Sequence, residues 1–528
     1  MRTNDVPMNL NSKESFGPIR QILWPIHRSE LKKVLSMFFL MSFLCICYSI
    51  LRNLKDTVIL TAKASGAEAI PFLKVWGILP GAIIGTWIFA KLCNRFSREK
   101  VFYIIITSFI LYFLCFAFIL YPNSETLHLE RVGDTLTAFL PKGFKGLISM
   151  VRNWTFTSFY IICEMWSIIV LSVLFWGFAN DVTKLSEAKR SYGIFNIGAN
   201  SAPIIGGGIA IFVGNHMCFP FLSTSTDTFH QTLVQLILVI SIFGTLAMGM
   251  YYWIHRRVLE PEGLKTQAKF IDPSGNKKKR LSLRESLLYI WRSKYLICVA
   301  CIVLGYNISI NITDVLWKEQ LKNFFQDPEE MLVHMNKITI GIGTIATLGA
   351  LFISVMVTRL GWTFIAILTP AIMTTLALGF FAFLFCGDLL TTFSMTLFGL
   401  TPMAMTVYFG SIQNCLSKAS KYSVFDASKE MSFLSLDQES RIKGKAAIDG
   451  LGSGIGKSGA SLTYQGFIIL LGSVASSTPY IAGLLIVVLA LWMVAVVSVG
   501  KQFKMATDYE GLPVADHSKQ ESEQALQA

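Results

Sequence analysis

The chain alternates between long apolar stretches and short polar ones. Stretches of about 20 residues with few charges lie near 34–60, 70–90, 101–121, 154–178, 191–213, 232–254, 295–317, 338–358, 362–384, 391–415, 446–476 and 479–500. An α-helix of that length spans the hydrocarbon core of a bilayer. The pattern therefore predicts an all-α integral membrane protein with twelve transmembrane helices.

Composition and charge agree with a membrane protein. Apolar residues make up 53% of the chain and charged residues only 15%, which is unusual for a soluble globular protein. Most Lys and Arg residues fall in the two tails and the even-numbered loops. Because basic flanks resist translocation, both termini and the central loop are expected to be cytoplasmic. The net charge of +13 thus reflects topology and indicates no nucleic-acid partner.

The central basic loop divides the predicted spans six and six. The predicted divisions are a tail at 1–33, a bundle at 34–254, a loop at 255–294, a bundle at 295–500 and a tail at 501–528. YSILRNLKD (48–56) aligns without gaps on YNISINITD (306–314). Such a parallel repeat predicts two pseudosymmetric six-helix bundles of the major facilitator type, with a solute site between them.

The repeated stretch carries charges that a bilayer disfavours. Tyr48, Arg52 and Lys55 share one helix face by i, i+4, i+7 spacing, as do Asn307, Asn311 and Asp314 in the second copy. An ionised side chain within a span is costly and should meet a partner, a ligand or water. The residues concerned are Arg52, Lys55, Asp56, Lys74, Glu164, Asp314, Asp449 and Lys457. Internal salt bridges are one interpretation of each. Arg52 and Lys55 together favour a strongly anionic solute such as a polyphosphate.

The stretch GLGSGIGKSGAS (450–461) looks like a phosphate-binding loop but fails its spacing. A P-loop needs Gly six residues before the Lys, and Leu451 stands six before Lys457. The glycines could serve close helix packing alone. A locally broken helix would instead let Lys457 reach phosphate, with Lys445 and Asp449 at its cytoplasmic mouth.

Several of these stretches together resemble a known family, the non-mitochondrial ATP/ADP translocases of plastids and of energy-parasitic intracellular bacteria. The matching segments are LRNLKDTVILT (51–61), CEMWSIIVLSVLFWGFAND (163–181), EAKRSYGIFNIGAN (187–200), SINITDVLWKEQLK (309–322) and KGKAAIDGLGSGIGKSG (443–459). The chain is most similar to the chlamydial type. The resemblance implies an antiporter in the bacterial cytoplasmic membrane that imports host ATP in exchange for ADP, commonly with phosphate.

The resemblance also implies roles for particular residues. Lys55 falls on the family's first-helix lysine and Glu164 on its fourth-helix glutamate. Asp314 stands where plastid members have Glu, and the eleventh-helix lysine is either Lys445 or Lys457. Arg52, Lys55 and that lysine would bind phosphate, while Glu164, Asp314 and Asp449 would bind substrate or balance charge. Candidates for contact with adenine or ribose, for each of which ordinary packing is the favoured alternative, are Tyr48, Trp166, Ile194, Phe195 and Asn200.

Two other classes of protein stay open. A proton-coupled importer of nucleotides or another organic anion would use Glu164, Asp314 or Asp449 as the titrating group. A nucleotide-hydrolysing enzyme would need a set of metal-binding carboxylates, and the sequence indicates none. We therefore expect no enzyme activity, no metal and no cofactor. The expected partners are ATP, ADP, phosphate and the lipid bilayer, and the expected state is a monomer.

Overall fold

The architecture comes from a computed structural model that describes residues 30–183, 185–215, 227–259, 290–291, 293–433, 436, 444–445, 447–448 and 456–510. Regular secondary structure within these ranges is helical. The long helices are α1 Leu31–Thr61, α2 Ala69–Arg95, α3 Arg98–Leu120, α4 Trp154–Val182, α5 Leu185–Asn215, α6 Thr228–Leu259, α7 Lys294–Phe324, α8 Pro328–Leu360, α9 Trp362–Phe385, α10 Pro402–Ser432, α11 Lys457–Leu471 and α12 Val474–Glu510.

Ten of the predicted spans correspond to helices in the described part of the chain that are long and apolar enough to cross a membrane. The predicted span at 391–415 is wrong as a single helix, because a helix at Gly387–Phe398 meets α10 at an angle of 76°. Gly399 ends the first helix with a φ of 66°, and the Thr401 side chain caps α10 with Pro402 in its first turn. The predicted span at 446–476 is continuously described only from residue 456, and α11 has 15 residues.

Helices α1 to α6 and α7 to α12 pack mainly within their own halves. Within the described residues, the helix pairs that join the halves include α5 with α8, α1 with α8, α2 with α11, α6 with α8, and α1 with α7. A Cβ at Gly343 of α8 would lie 3.0 Å from the Asn200 carbonyl oxygen of α5, so the small residue permits this close approach. Asn53 of α1 donates buried hydrogen bonds to Asn336 Oδ1 at 2.8 Å and Thr339 Oγ1 at 2.9 Å. The central loop at 260–289 lies outside the described residues.

Residues 121–153, here called the strap, close the end of the molecule nearest Thr61. The two longest helices of the strap are Glu130–Phe139 and Lys145–Arg152. Arg152 of the second helix forms ion pairs with two residues of the first. Its Nη1 lies 2.8 Å from Glu130 Oε2 and its Nη2 lies 2.8 Å from Asp134 Oδ1. The strap follows α3 of the first half, yet a Cβ at Gly143 would lie 2.4 Å from the Ile469 Cα of α11. The two halves therefore meet at the Thr61 end through backbone contact.

Candidate functional site

A cavity of about 290 Å³ lies between helices of both halves. This volume is close to the lower end of the range for small-molecule sites, about 300 Å³. The cavity is rich in charge, with six cations and three carboxylates. Its lining consists of Tyr48, Arg52, Lys55, Asp56, Lys74, Tyr160, Glu164, Ser167, Tyr306, Asn307, Ile310, Asn311, Asp314, Lys318, Lys418, Lys421 and Tyr422.

The two copies of the internal repeat both face this cavity. Tyr48 and Asp56 of α1 line it, and so do the matching Tyr306 and Asp314 of α7. In each helix the aromatic residue and the carboxylate are eight residues apart, which places them on one face. The cavity thus lies between the halves, and a solute site there stays a prediction from the repeat.

Carboxylates and lysines alternate along one wall of the cavity and form a continuous chain of ion pairs. Lys55 Nζ lies 2.8 Å from Asp56 Oδ1 and 3.1 Å from Glu164 Oε1. Lys318 Nζ lies 2.8 Å from Asp56 Oδ2 and 2.7 Å from Asp314 Oδ2. Lys418 Nζ completes the chain at 2.9 Å from Asp314 Oδ1. The chain joins α4 and α1 of the first half to α7 and α10 of the second.

Three further cations line the cavity without belonging to this chain. Lys74 donates to the neutral Asn311 Oδ1 at 2.7 Å, and Lys421 lies 3.6 Å from Asp426. Arg52 forms no ion pair with any carboxylate of the described residues. The three lysines and three carboxylates of the chain balance one another. The lining as a whole therefore has three more cations than anions.

Three cavity helices depart from α-helical geometry where they reach the cavity. The segments 73–78 of α2, 166–175 of α4 and 421–425 of α10 are π-helical. They hold the lining residues Lys74, Ser167, Lys421 and Tyr422. A π-helical turn inserts an extra residue and redirects the side chains that follow, and such turns are frequent at functional sites.

The structure brings five of the predicted site residues together, namely Tyr48, Arg52, Lys55, Glu164 and Asp314. The predicted residues for adenine or ribose other than Tyr48 do not line this cavity. Trp166 is buried and donates Nε1 to the Leu44 carbonyl at 3.1 Å. Phe195 is buried edge-on against Phe175. Ile194 is also buried, and Asn200 is partly buried.

The two candidate lysines near α11 differ in what the structure shows of their surroundings. Lys445 is bonded to Glu430 and is not among the cavity-lining residues. The side chain of Lys457 and all of Asp449 lie outside the described residues. A Cβ at Gly456 would lie 3.0 Å from Cβ of Asn307, a lining residue. The glycine therefore lets the first turn of α11 approach the cavity wall.

Sequence reasoning missed several residues that line the cavity, among them Lys318, Lys418, Lys421 and Tyr160. The lysines lie just beyond the predicted ends of their spans at 317 and 415. Lys318 follows Asp314 by four residues, and this i, i+4 spacing was the available signal. Tyr160 gave no such signal; the Lys55 Nζ lies 3.8 Å from the centre of its ring.

Two solved transporters share the fold at low sequence identity. The nucleoside transporter NupG aligns with a TM-score of 0.52 and 12% identity, covering 90% of this chain and 99% of its own. A POT family transporter aligns with a TM-score of 0.54 and 10% identity, covering 89% and 96%. At these identities the likeness concerns the fold, which is that of major facilitator transporters.

Sequence relatives are much more similar. ADP,ATP carrier protein 1 of Chlamydia muridarum is 39% identical over 505 residues, covering 95% of this chain and 94% of its own. The chloroplastic ADP,ATP carrier protein 1 of Arabidopsis thaliana is 36% identical, covering 93% and 77%. ADP,ATP carrier protein 1 of Rickettsia bellii is 35% identical, covering 94% and 98%. The profile described as TLC ATP/ADP transporter matches residues 9–503. The chain therefore belongs to the TLC ATP/ADP transporter family.

Proposed function

We propose that the protein exchanges ATP for ADP across a membrane and that the cavity between its halves is the nucleotide site. The carrier names of its relatives support the substrates. The observation that carries the assignment is that Arg52 and Lys74 line the cavity without a carboxylate partner among the described residues, whereas the third excess cation, Lys421, lies 3.6 Å from Asp426. Partly buried cations without carboxylate partners are stabilised by a polyanion, and a nucleotide polyphosphate supplies one.

The phosphates would be bound first by the cations outside the ion-pair chain. Arg52 offers a planar guanidinium suited to bidentate phosphate contact. Lys74 needs to give up only a neutral amide partner, Asn311, to do the same. Lys55 would join them by exchanging one of its two carboxylates for a phosphate oxygen. Of the two candidate lysines near α11, we favour Lys457, because its neighbour Gly456 packs against the cavity-lining Asn307 and Lys445 is bonded to Glu430.

The aromatic surface for adenine would come from tyrosine. Tyr48, Tyr306 and Tyr422 all line the cavity, whereas Trp166 and Phe195 pack in the protein interior. Stacking on a tyrosine face uses the apolar area of the base and leaves its polar edge free to hydrogen-bond.

Strict exchange follows from the cost of closing an empty cavity. Excess cations sealed away from water without a counterion would be strongly disfavoured. A bound nucleotide removes that cost, so only the loaded carrier would switch between its two open forms. The strap contact with α11 would close one side in this alternating access, and that side would be external if both termini are cytoplasmic.

The proposal also covers the oligomeric state, the membrane, the direction of transport and the co-transported phosphate. We propose a monomer in a bacterial cytoplasmic membrane that imports host ATP and exports ADP together with phosphate. ATP and ADP differ by about one charge near neutral pH. Export of a phosphate monoanion with ADP would therefore balance the charge of the incoming ATP.

The test is radiolabelled ATP uptake into proteoliposomes preloaded with ADP, with other nucleotides or with nothing. Arg52→Gln and Lys74→Gln should each raise the KM for ATP at least tenfold, because each removes a cation without orphaning a carboxylate. Lys294→Gln, at an exposed position on α7, is the matched control and should transport normally.

The same vesicles distinguish the alternative functions. Uptake into empty vesicles driven by a pH gradient would instead establish the proton-coupled importer. Phosphate release without vesicle loading would establish a hydrolase.

A further inference from the structure

A second large cavity lies in the first half, between α2, α3 and α4. This groove has a volume of about 340 Å³ and is almost wholly apolar. It shares no lining residue with the nucleotide cavity. Its lining includes Gly81, Ile84, Ile88, Leu92, Ser108 and Ile169.

The groove opens towards the surroundings of the helix bundle. Ile84 and Ile88 are 56% and 47% exposed, although both line it. Its floor comes from α4: a Cβ at Gly85 would lie 2.7 Å from Ile169 Cδ1. Glycine at this position lets α4 side chains approach α2 and form a concave surface. In a bilayer, lipid tails are the apolar molecules that reach such a surface.

The length of the groove matches one leaflet of a bilayer. Its α2 lining extends from Gly81 to Leu92, which is roughly 17 Å at the helical rise per residue. The hydrocarbon core is about 30 Å thick. A transmembrane helix of a protein partner would continue across the whole core, whereas a single acyl chain ends near its middle.

Cations continue the exposed face of α2 beyond the groove. Positions 84, 88, 91 and 95 are three or four residues apart and therefore lie along one helix face. Lys91 and Arg95 are exposed, and neither forms an ion pair with a carboxylate in the described part of the chain. Lys91 Nζ is held 3.7 Å from the centre of the Trp87 ring. Tryptophan beside a basic residue is typical of the level of lipid headgroups.

We propose that this groove is a binding site for an anionic phospholipid. One acyl chain lies along Ile84 and Ile88 towards Gly81, and the headgroup phosphate contacts Lys91 and Arg95. Net negative headgroups such as phosphatidylglycerol are preferred over zwitterionic ones, because two adjacent cations lack a protein counterion. The site holds lipid in the leaflet nearest Leu31 and does not take part in nucleotide binding.

Native mass spectrometry of the delipidated full-length protein tests this site, with phosphatidylglycerol or phosphatidylcholine added back. Ser108→Trp should fill the groove and remove one bound lipid of either type. Thr86→Trp is the control for this variant. The Thr86 and Ser108 side chains are both exposed and both donate to the carbonyl four residues earlier, but Thr86 lies outside the groove.

The headgroup contact is tested by a second variant in the same measurement. Lys91→Gln/Arg95→Gln should retain a lipid but lose its preference for phosphatidylglycerol over phosphatidylcholine by at least tenfold. Lys100→Gln/Lys294→Gln removes the same charge at other exposed positions and should keep the preference.

Equal lipid binding by Ser108→Trp and Thr86→Trp would overturn the groove assignment and leave only general annular lipid. An unchanged preference in Lys91→Gln/Arg95→Gln would overturn the headgroup assignment. Circular dichroism and thermal unfolding of each variant distinguish loss of the site from loss of the fold. Because the readout is bound lipid, a failure of the nucleotide proposal leaves this result intact.

Discussion

At the scale of single residues, variants of Lys55 distinguish a structural role of this side chain from a role in substrate binding. It contacts both Asp56 and Glu164, so Lys55→Gln alone should both destabilise the protein and abolish exchange. Removing one partner of a buried pair costs about 3–5 kcal/mol because a charge is left uncompensated. Lys55→Gln/Glu164→Gln should recover much of the unfolding temperature without recovering transport. Restored ATP/ADP exchange in the double variant would show that Lys55 serves only as a structural counterion.

Asp314 should be more important for stability than Glu164. Asp314 accepts from Lys318, Lys418 and Asn414 at 2.7 to 3.2 Å, whereas Glu164 contacts only Lys55 in the ion-pair chain and is partly exposed. Asp314→Asn should therefore lower the thermal unfolding midpoint more than Glu164→Gln. Fluorescence-detected unfolding in detergent measures both, and Asp314→Glu, which keeps the charge, is the control. Equal shifts for the two neutral variants would contradict the chain of ion pairs described here.

At the scale of elements, the strap offers a test of closure at the Thr61 end. Gly143→Val should slow exchange at least tenfold, because a Cβ there would meet the backbone of α11 at 2.4 Å. ADP binding in detergent, measured by calorimetry, should change less than threefold, since Gly143 is not a cavity residue. Gly483→Val on α12 is the matched control, with no atom near its Cβ position. Normal exchange by Gly143→Val would exclude the strap contact from the transport cycle.

The ends of the helices explain why the sequence does not predict part of the cavity wall. Apolar stretches predict where a helix crosses a membrane, and a charged residue marks the end of a predicted span. Helix α7 continues past Lys318 to Phe324, and α10 continues past Lys418. Those lysines are tolerated because Asp56 and Asp314 pair with them. A hydropathy window counts each charge as a cost and contains no information about a partner on another helix.

At the scale of the whole molecule, the charge of the exchanged solutes determines the response to voltage. If ATP exchanges for ADP alone, one charge crosses per cycle, and 100 mV is worth about 2.3 kcal/mol, or roughly 50-fold in the equilibrium ATP to ADP ratio. If a phosphate monoanion accompanies ADP, the ratio should not change. Proteoliposomes with a potassium diffusion potential, with and without internal phosphate, measure this. A 50-fold shift that persists with internal phosphate would contradict the proposed phosphate export.

The sequence by itself determined the class of the protein, its family, and the charges of α1, α4 and α7 at the site. Long apolar stretches have few stable structures outside a membrane, and Arg52, Lys55, Glu164 and Asp314 stand out within them because a bilayer disfavours charge. Only the tertiary structure decided which charges pair, that Lys318, Lys418 and Tyr160 complete the wall, and that Trp166 and Phe195 pack in the interior. Those outcomes depend on the rotation and register of helices far apart in the chain, which local periodicity does not specify.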